Sequence, residues 1–178
     1  MRRTVSTLAL GLAAAVVVVA VAASCGDDST APARPTYVAN LNTAAEKGNP
    51  PFTQTSSGVA TFVDMGTSID WTLSVTNVTG MTLSHIHLGD VHAVALPPAS
   101  TDAAATGAGP VIINLLIPNA VTGLLNGEIA RGSITNAANA NVSLDSLRVL
   151  FNNGHAYANF HTQAHPGGEI RDQIHPAP

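Results

Sequence analysis

The sequence predicts an all-β domain, an antiparallel sandwich or barrel carrying one short helix. Three observations point there. Charged residues make up 10% and aromatic residues 4% of the 178, while Ala, Val, Thr, Asn, Gly and Pro dominate; a chain rich in β-branched and turn residues suits strands better than helices. In "IDWTLSVT", Ile69, Trp71, Leu73 and Val75 alternate with Asp70, Thr72, Ser74 and Thr76. Period two puts successive side chains on opposite faces, so this stretch is a strand with one dry and one wet face. Short apolar runs are also separated by Gly and Pro, the residues that end strands and turn the chain.

The elements follow in order. "TYVANLN" alternates Tyr37, Ala39 and Leu41 with Val38, Asn40 and Asn42, and is the first strand. "AAEKGNPPFTQTSSG" breaks that pattern with Gly48, Pro50 and Pro51, and reads as a loop. "VATFVDM" and "SIDWTLSVTNV" are the next two strands, joined by a hairpin turn at Gly66. "TLSHIHL" is a separate strand after them, followed by a long, weakly patterned insertion through Pro97-Pro98. "PVIINLLI" is a buried strand, and a short one spans Glu128 to Ile134. In "SLDSLRVLFNNG", Leu144, Leu147 and Phe151 fall at helical spacing, with Ser143 to cap the start and Gly154 to end it. "HAYANFHT" returns to alternation, "QAHPGG" turns, and "EIRDQI" is the last strand. About eight strands and one helix result.

The first 24 residues stand outside this fold. Arg2 and Arg3 precede an unbroken apolar or glycine run, Leu8 to Ala23, which reads as an export signal. Cys25, the chain's single cysteine, follows Ala22, Ala23 and Ser24, and this stretch resembles the box of bacterial lipoproteins. The resemblance implies cleavage before Cys25 and lipidation of that residue. A lone thiol in an exported protein has no disulfide partner, and acylation accounts for it. Several acyl chains hold a protein on a membrane where one does not. Residues 25–36 are polar and contain Pro, a flexible tether below a domain at 37–175. The expected place is the cell envelope or surface, anchored to a membrane by lipid. Removing residues 1–24 takes away two of the seven basic residues and none of the eleven acids, so the net charge falls from −4 to −6. No basic patch remains, which argues against nucleic acid as a partner.

The quoted segments "NPPFTQTSSGVATF", "SHIHLGD", "GPVIINL" and "YANFHTQAHPGGEIRDQI", in that order, resemble the CHRD domain. That domain is named after the animal protein chordin and is also found in exported bacterial proteins. Tyr157, Asn159, His161, Thr162, Pro166, Gly167, Gly168, Glu169, Ile170, Arg171 and Gln173 match its closing motif. Asp172 stands where the family pattern has Gly, and the stretch after His87 is longer and poorer in Gly. The resemblance implies a β-rich, immunoglobulin-like or barrel domain outside the cytoplasm. It implies no established enzyme activity; the expected work is that of a non-catalytic binding module for a surface protein or a matrix component, the alternative being a metal-binding or redox domain built on clustered histidines.

Chemistry concentrates on the histidines. His85 and His87 are two apart on a strand and therefore share a face. His161 shares a face with Tyr157 and Asn159 on another strand. If those strands are neighbours, three imidazoles can meet and bind Cu or Zn. A structural reading uses the same residues: ring N–H groups donate to backbone carbonyls, with Ser84 and Thr162 as ready partners. His92, His155, His165 and His175 fall in loops or at the end and are expected to be solvated. Glu169 and Arg171 share a face of the last strand, with Glu128 and Arg131 as candidate partners, most simply in a structural network. Gly167 and Gly168 suit a turn of positive φ. No Gly-x-Ser-x-Gly is present and Cys25 is assigned to lipid, so no catalytic nucleophile stands out.

Overall fold

The computed structural model describes residues 32–46, 55–91, 109–115, 121–136 and 142–178. The leader, Cys25, most of the tether, His92 and most of the long insertion lie outside the described residues. Ala33–Pro178 form one compact unit. Its elements are β1 (Thr36–Asn42), β2 (Ser57–Asp64), β3 (Ile69–Leu88), β4 (Val111–Leu115), β5 (Val121–Ile134), α1 (Leu144–Asn152), β6 (Ala156–Thr162), β7 (Ile170–Gln173) and β8 (His175–Pro176). The all-β expectation with one short helix holds.

β3 organises the domain. Its first half pairs with β2, from Asp64↔Ile69 to Ser57↔Thr76, and with β5. Its second half pairs with β6, from Leu83↔His161 to Leu88↔Ala156, and with β4. β1 continues the first half beyond β2, and β7 continues the second beyond β6. All these pairings are antiparallel. One strand thus belongs to both parts of a single eight-stranded sheet, a first sheet of β1, β2, β5 and the start of β3 and a second of β4, β6, β7 and its end. The pairing Asn42↔Arg171 between β1 and β7 joins the sheets again on the far side.

The sequence reading divides this strand in two and needs correction. "SIDWTLSVTNV" and "TLSHIHL" are one strand of 20 residues. The signal for a break is real, because Asn77 (φ 57°) and Gly80 (φ 68°) are left-handed. They form bulges, marked by register shifts between Val75 and Val78 and between Thr79 and Met81. A bulge bends a strand without ending it. The strand expected at Glu128–Ile134 likewise extends back to Val121. Gly123 and Gly127 lie within it at positive φ, which is why it reads as a loop.

The alternating faces fall as expected in the first sheet. Tyr37, Ala39, Leu41, Ala60, Phe62, Ile69, Trp71, Leu73 and Val75 are buried in the core between the sheets. Ile86, Ile113, Ala158, Phe160 and Ile170 close that core from the second sheet. The helix caps it. Ser143 accepts from the Ser146 backbone N–H, and Leu144, Leu147 and Phe151 face inward. Phe151 meets Tyr37 edge-on at 5.2 Å and Phe62 at 5.3 Å. Arg148 locks the helix to the β2–β3 turn by bonding Asp64 through two nitrogens, at 2.7 and 2.8 Å. That contact holds the Asp64 carboxyl below its ordinary range.

The second sheet departs from the alternating rule. All seven residues of β6 are buried. One face of that strand is core; the other, which should be wet, is polar and covered.

Candidate metal centre

The covered face is built by register. His85 lies opposite Asn159, which lies opposite Arg171; His87 lies opposite Tyr157, which lies opposite Gln173; His161 lies opposite Leu83. Directly paired residues of antiparallel strands share a face, so β3, β6 and β7 present one polar surface. The segments flanking Pro166-Gly167-Gly168 lie side by side, as β6 and β7.

The three histidines expected to meet do meet. Each of His85, His87 and His161 offers a ring nitrogen, and these three atoms lie within 4.8 Å of one another. His85 Nδ1 is 3.1 Å from His161 Nε2. An ion about 2.0 Å from each nitrogen needs N–N separations of about 3.4 Å. The 3.1 Å contact is a hydrogen bond in which His85 Nδ1–H donates to the His161 Nε2 lone pair, so an ion at this spacing takes the place of the shared proton.

Hydrogen bonds fix which nitrogens face the cluster. His87 Nδ1–H donates to the Gly109 carbonyl at 2.6 Å, and His161 Nδ1–H donates to the Pro166 carbonyl at 2.9 Å. Both rings therefore present an unprotonated Nε2. For His87 that atom is buried and has no hydrogen-bond partner among the described residues. Gly109 is itself held, because its N–H donates to the Tyr157 hydroxyl at 3.0 Å. Tyr157 stacks on the His87 ring at 4.9 Å and 11°. One residue, through its N–H and its C=O, thus ties the histidine and its stacking partner together. The site requires glycine there, since a Cβ at 109 would sit 2.2 Å from the Leu88 carbonyl oxygen.

All three imidazoles are kept neutral. Burial, then the neighbouring His161 and His87, bring His85 down to about 4. Burial is also the main cause that lowers His87 and His161, partly opposed by their bonds to Gly109 and Pro166. A neutral ring with a free lone pair is the form that ligates a metal.

Beside the cluster lies a buried ionic network. Glu169 accepts from Ser56 Oγ at 2.7 Å and from Thr162 Oγ1 at 3.0 Å, and lies 3.4 Å from His165 Nε2. Arg171 Nε donates to the Ala45 carbonyl at 2.8 Å and lies 3.6 Å from Glu46. The Arg171 guanidinium sits 5.6 Å from the Tyr157 ring centre. Burial drives Glu46 up to about 7, against Arg171 and with Glu169. The partners expected for Glu169 and Arg171 are therefore wrong. Glu128 and Arg131 bond each other on exposed β5, and their ion pair is far from full burial. The structural network itself is present.

Other expected partners also differ. The Ser84 hydroxyl donates to the Leu115 carbonyl, on the core side of β3, because a residue one place from His85 faces the other way. Thr162 bonds Glu169 rather than a histidine. His165 is half-buried, and His155 and His175 are exposed. Of the glycine pair only Gly168 takes a positive φ, 138°. Gly109, Glu46 and Ser56 were not singled out by sequence. Gly109 and Pro110 open β4 in a recognisable motif, but nothing in their spacing reveals that His87 needs the carbonyl. Among the described residues no helix is long and apolar enough to cross a membrane.

Comparison with known proteins supplies one match. The family model of the CHRD domain covers residues 37–174, and the chain belongs to that family. No curated protein and no solved structure matches it.

Proposed function

We propose that this CHRD-domain protein is an exported, lipid-anchored binding module whose ligand is a transition metal, copper or zinc, held by His85 Nδ1, His87 Nε2 and His161 Nε2. One observation carries the reading. The buried His87 Nε2 has no partner among the described residues, while its other nitrogen is already committed to Gly109. A purely structural role accounts for the two Nδ1–H bonds and leaves that lone pair desolvated, at a cost of about 1–3 kcal/mol. A metal ion accounts for both nitrogens. The bonds to Gly109 and Pro166 are then the outer contacts that orient ligating imidazoles. Three protein nitrogens leave a fourth position for water or another donor.

The purified protein, assayed for bound metal by elemental analysis and then melted with added Cu or Zn, tests this. A ligand that binds only the folded state raises its stability, by about 2.7 kcal/mol at a hundredfold excess over Kd. His87→Ala should abolish the rise. No retained metal and no shift in melting would end the metal reading. Anchoring has a separate check: Cys25→Ser should release the protein from membranes, and retention would overturn lipidation.

A further inference from the structure

We infer that the His85–His87–His161 centre favours copper in the cuprous state over divalent ions. This rests on the metal reading above and deepens it.

The donor set is the first ground. Among the described residues, the candidate cluster consists of three histidines alone, with no carboxylate or thiolate. Neutral nitrogens leave the whole charge of the ion uncompensated. The second ground is the outer contacts. Both fixed rings donate to backbone carbonyls, at Gly109 and Pro166, not to carboxylates that would lend the ligands negative charge. The neighbouring carboxylates are engaged elsewhere: Glu169 by Ser56 and Thr162, Glu46 by Arg171. The third ground is burial. His87 is 8% and His161 7% exposed. Born desolvation grows with the square of the charge, so a dication loses about four times as much solvation as a monocation here. Copper alone among the two candidate metals offers a stable monocation, and imidazole suits it.

The experiment compares oxidation states on the intact protein. Anaerobic titration against a chromogenic Cu(I) chelator gives one affinity, and competition with a Cu(II) chelator gives the other. Cu(I) should bind at least about tenfold more tightly than Cu(II) or Zn, which by the linkage of binding to potential raises the bound copper couple by about 59 mV or more relative to free copper. Equal or tighter binding of Cu(II) or Zn overturns this inference and leaves the metal reading standing. Retention of neither metal overturns both. A second variant tests the charge argument directly. Leu83 is 55% exposed, shares the face of His85 and lies opposite His161. Leu83→Glu adds a carboxylate at the rim without touching the core, and should lower the ratio of Cu(I) to Cu(II) affinity about two- to fivefold. An unchanged ratio refutes the role given to the neutral donor set.

Discussion

The two sheets use the same alternation for different ends. In the first, Asp70, Thr72 and Ser74 of β3 sit at the surface opposite Val63, Thr61 and Val59 of β2, and only the inner face is dry. In the second, Tyr157, Asn159 and His161 face away from the core and are nevertheless buried. Covering polar side chains costs free energy unless each finds a partner. Gly109 supplies one for Tyr157 and the turn at Pro166 one for His161, the loop at Ala45 and Ser56 do so for Arg171 and Glu169, and Asn159 Oδ1 finds none among the described residues. A sheet that hides its polar face under three connections does more than hold a core together, and the histidine cluster lies on that face.

The largest test of the contrast sets one arginine against another. Arg171 and Glu46 have side chains 1% and 4% exposed, whereas those of Arg131 and Glu128 are 74% and 39% exposed. Arg171→Met leaves Glu46 buried without its cation and should cost about 3–5 kcal/mol by urea unfolding. Arg131→Met should leave the midpoint where it is. Equal effects would erase the distinction between the sheets.

Glycines give the next test. A Cβ on Gly168 would lie 2.5 Å from Glu46 Oε1 and 2.8 Å from Asn159 Oδ1, with φ at +138°. Gly127 of β5, at φ +89°, meets nothing within 4 Å. Gly168→Ala should therefore cost about 1–3 kcal/mol from crowding and backbone strain together, and Gly127→Ala about 1 kcal/mol from strain alone. Thermal melts of the two variants settle the order.

These effects mark what was legible in the sequence. Period two is a local property, so the faces of β1 and β3 and the inward side of α1 could be read directly. The pairing of His85 and His87 on one face follows from the same rule, and His161 joined them on the assumption that β3 and β6 are neighbours. Burial of β6 on both sides was not legible, because a strand alternating Tyr157, Asn159 and His161 with Ala156, Ala158 and Phe160 looks half-wet until the covering loops are known. The partners of Arg171 and Glu169 come from Glu46 and Ser56, more than 100 positions earlier. Charge matching suggested Glu128 and Arg131 instead, since nothing in the sequence distinguishes a distant carboxylate from a nearer one. The break expected within β3 misread two left-handed residues as an end.

Acidity separates the sheets again. Unfolded histidine takes a proton near 6.5, and folded His85 only near 4. The unfolded chain therefore binds more protons between those values, and stability falls as pH drops through that window. His87 and His161 are lowered too and act in the same direction. Glu46 opposes them. Its folded value is raised from 4.5 to about 7, so it favours the folded state at low pH and loses that contribution as pH rises. Glu46→Gln should consequently steepen the acid loss of stability between pH 6.5 and 4.5, measured as urea midpoints across the range. A slope that does not change would show that Glu46 is not the opposing group.

The smallest expected effect concerns the joint between the two sheets. Asn77 holds φ 57° at the bulge of β3; its amide donates to Thr55 and its backbone N–H to Asn126. Glycine adopts that conformation without steric cost but lacks the side chain. The two changes offset, so Asn77→Gly should move stability by no more than about 0.5 kcal/mol. A β-branched residue cannot take the left-handed region so readily, and Asn77→Val should cost about 1–2 kcal/mol. If the bend alone sets the sheet angle, metal affinity follows stability in neither variant, because His85 and His87 are aligned by β6 and β4 beyond the bulge. A loss of affinity in Asn77→Val without loss of fold would instead mean that the first sheet transmits its geometry to the histidines through β3.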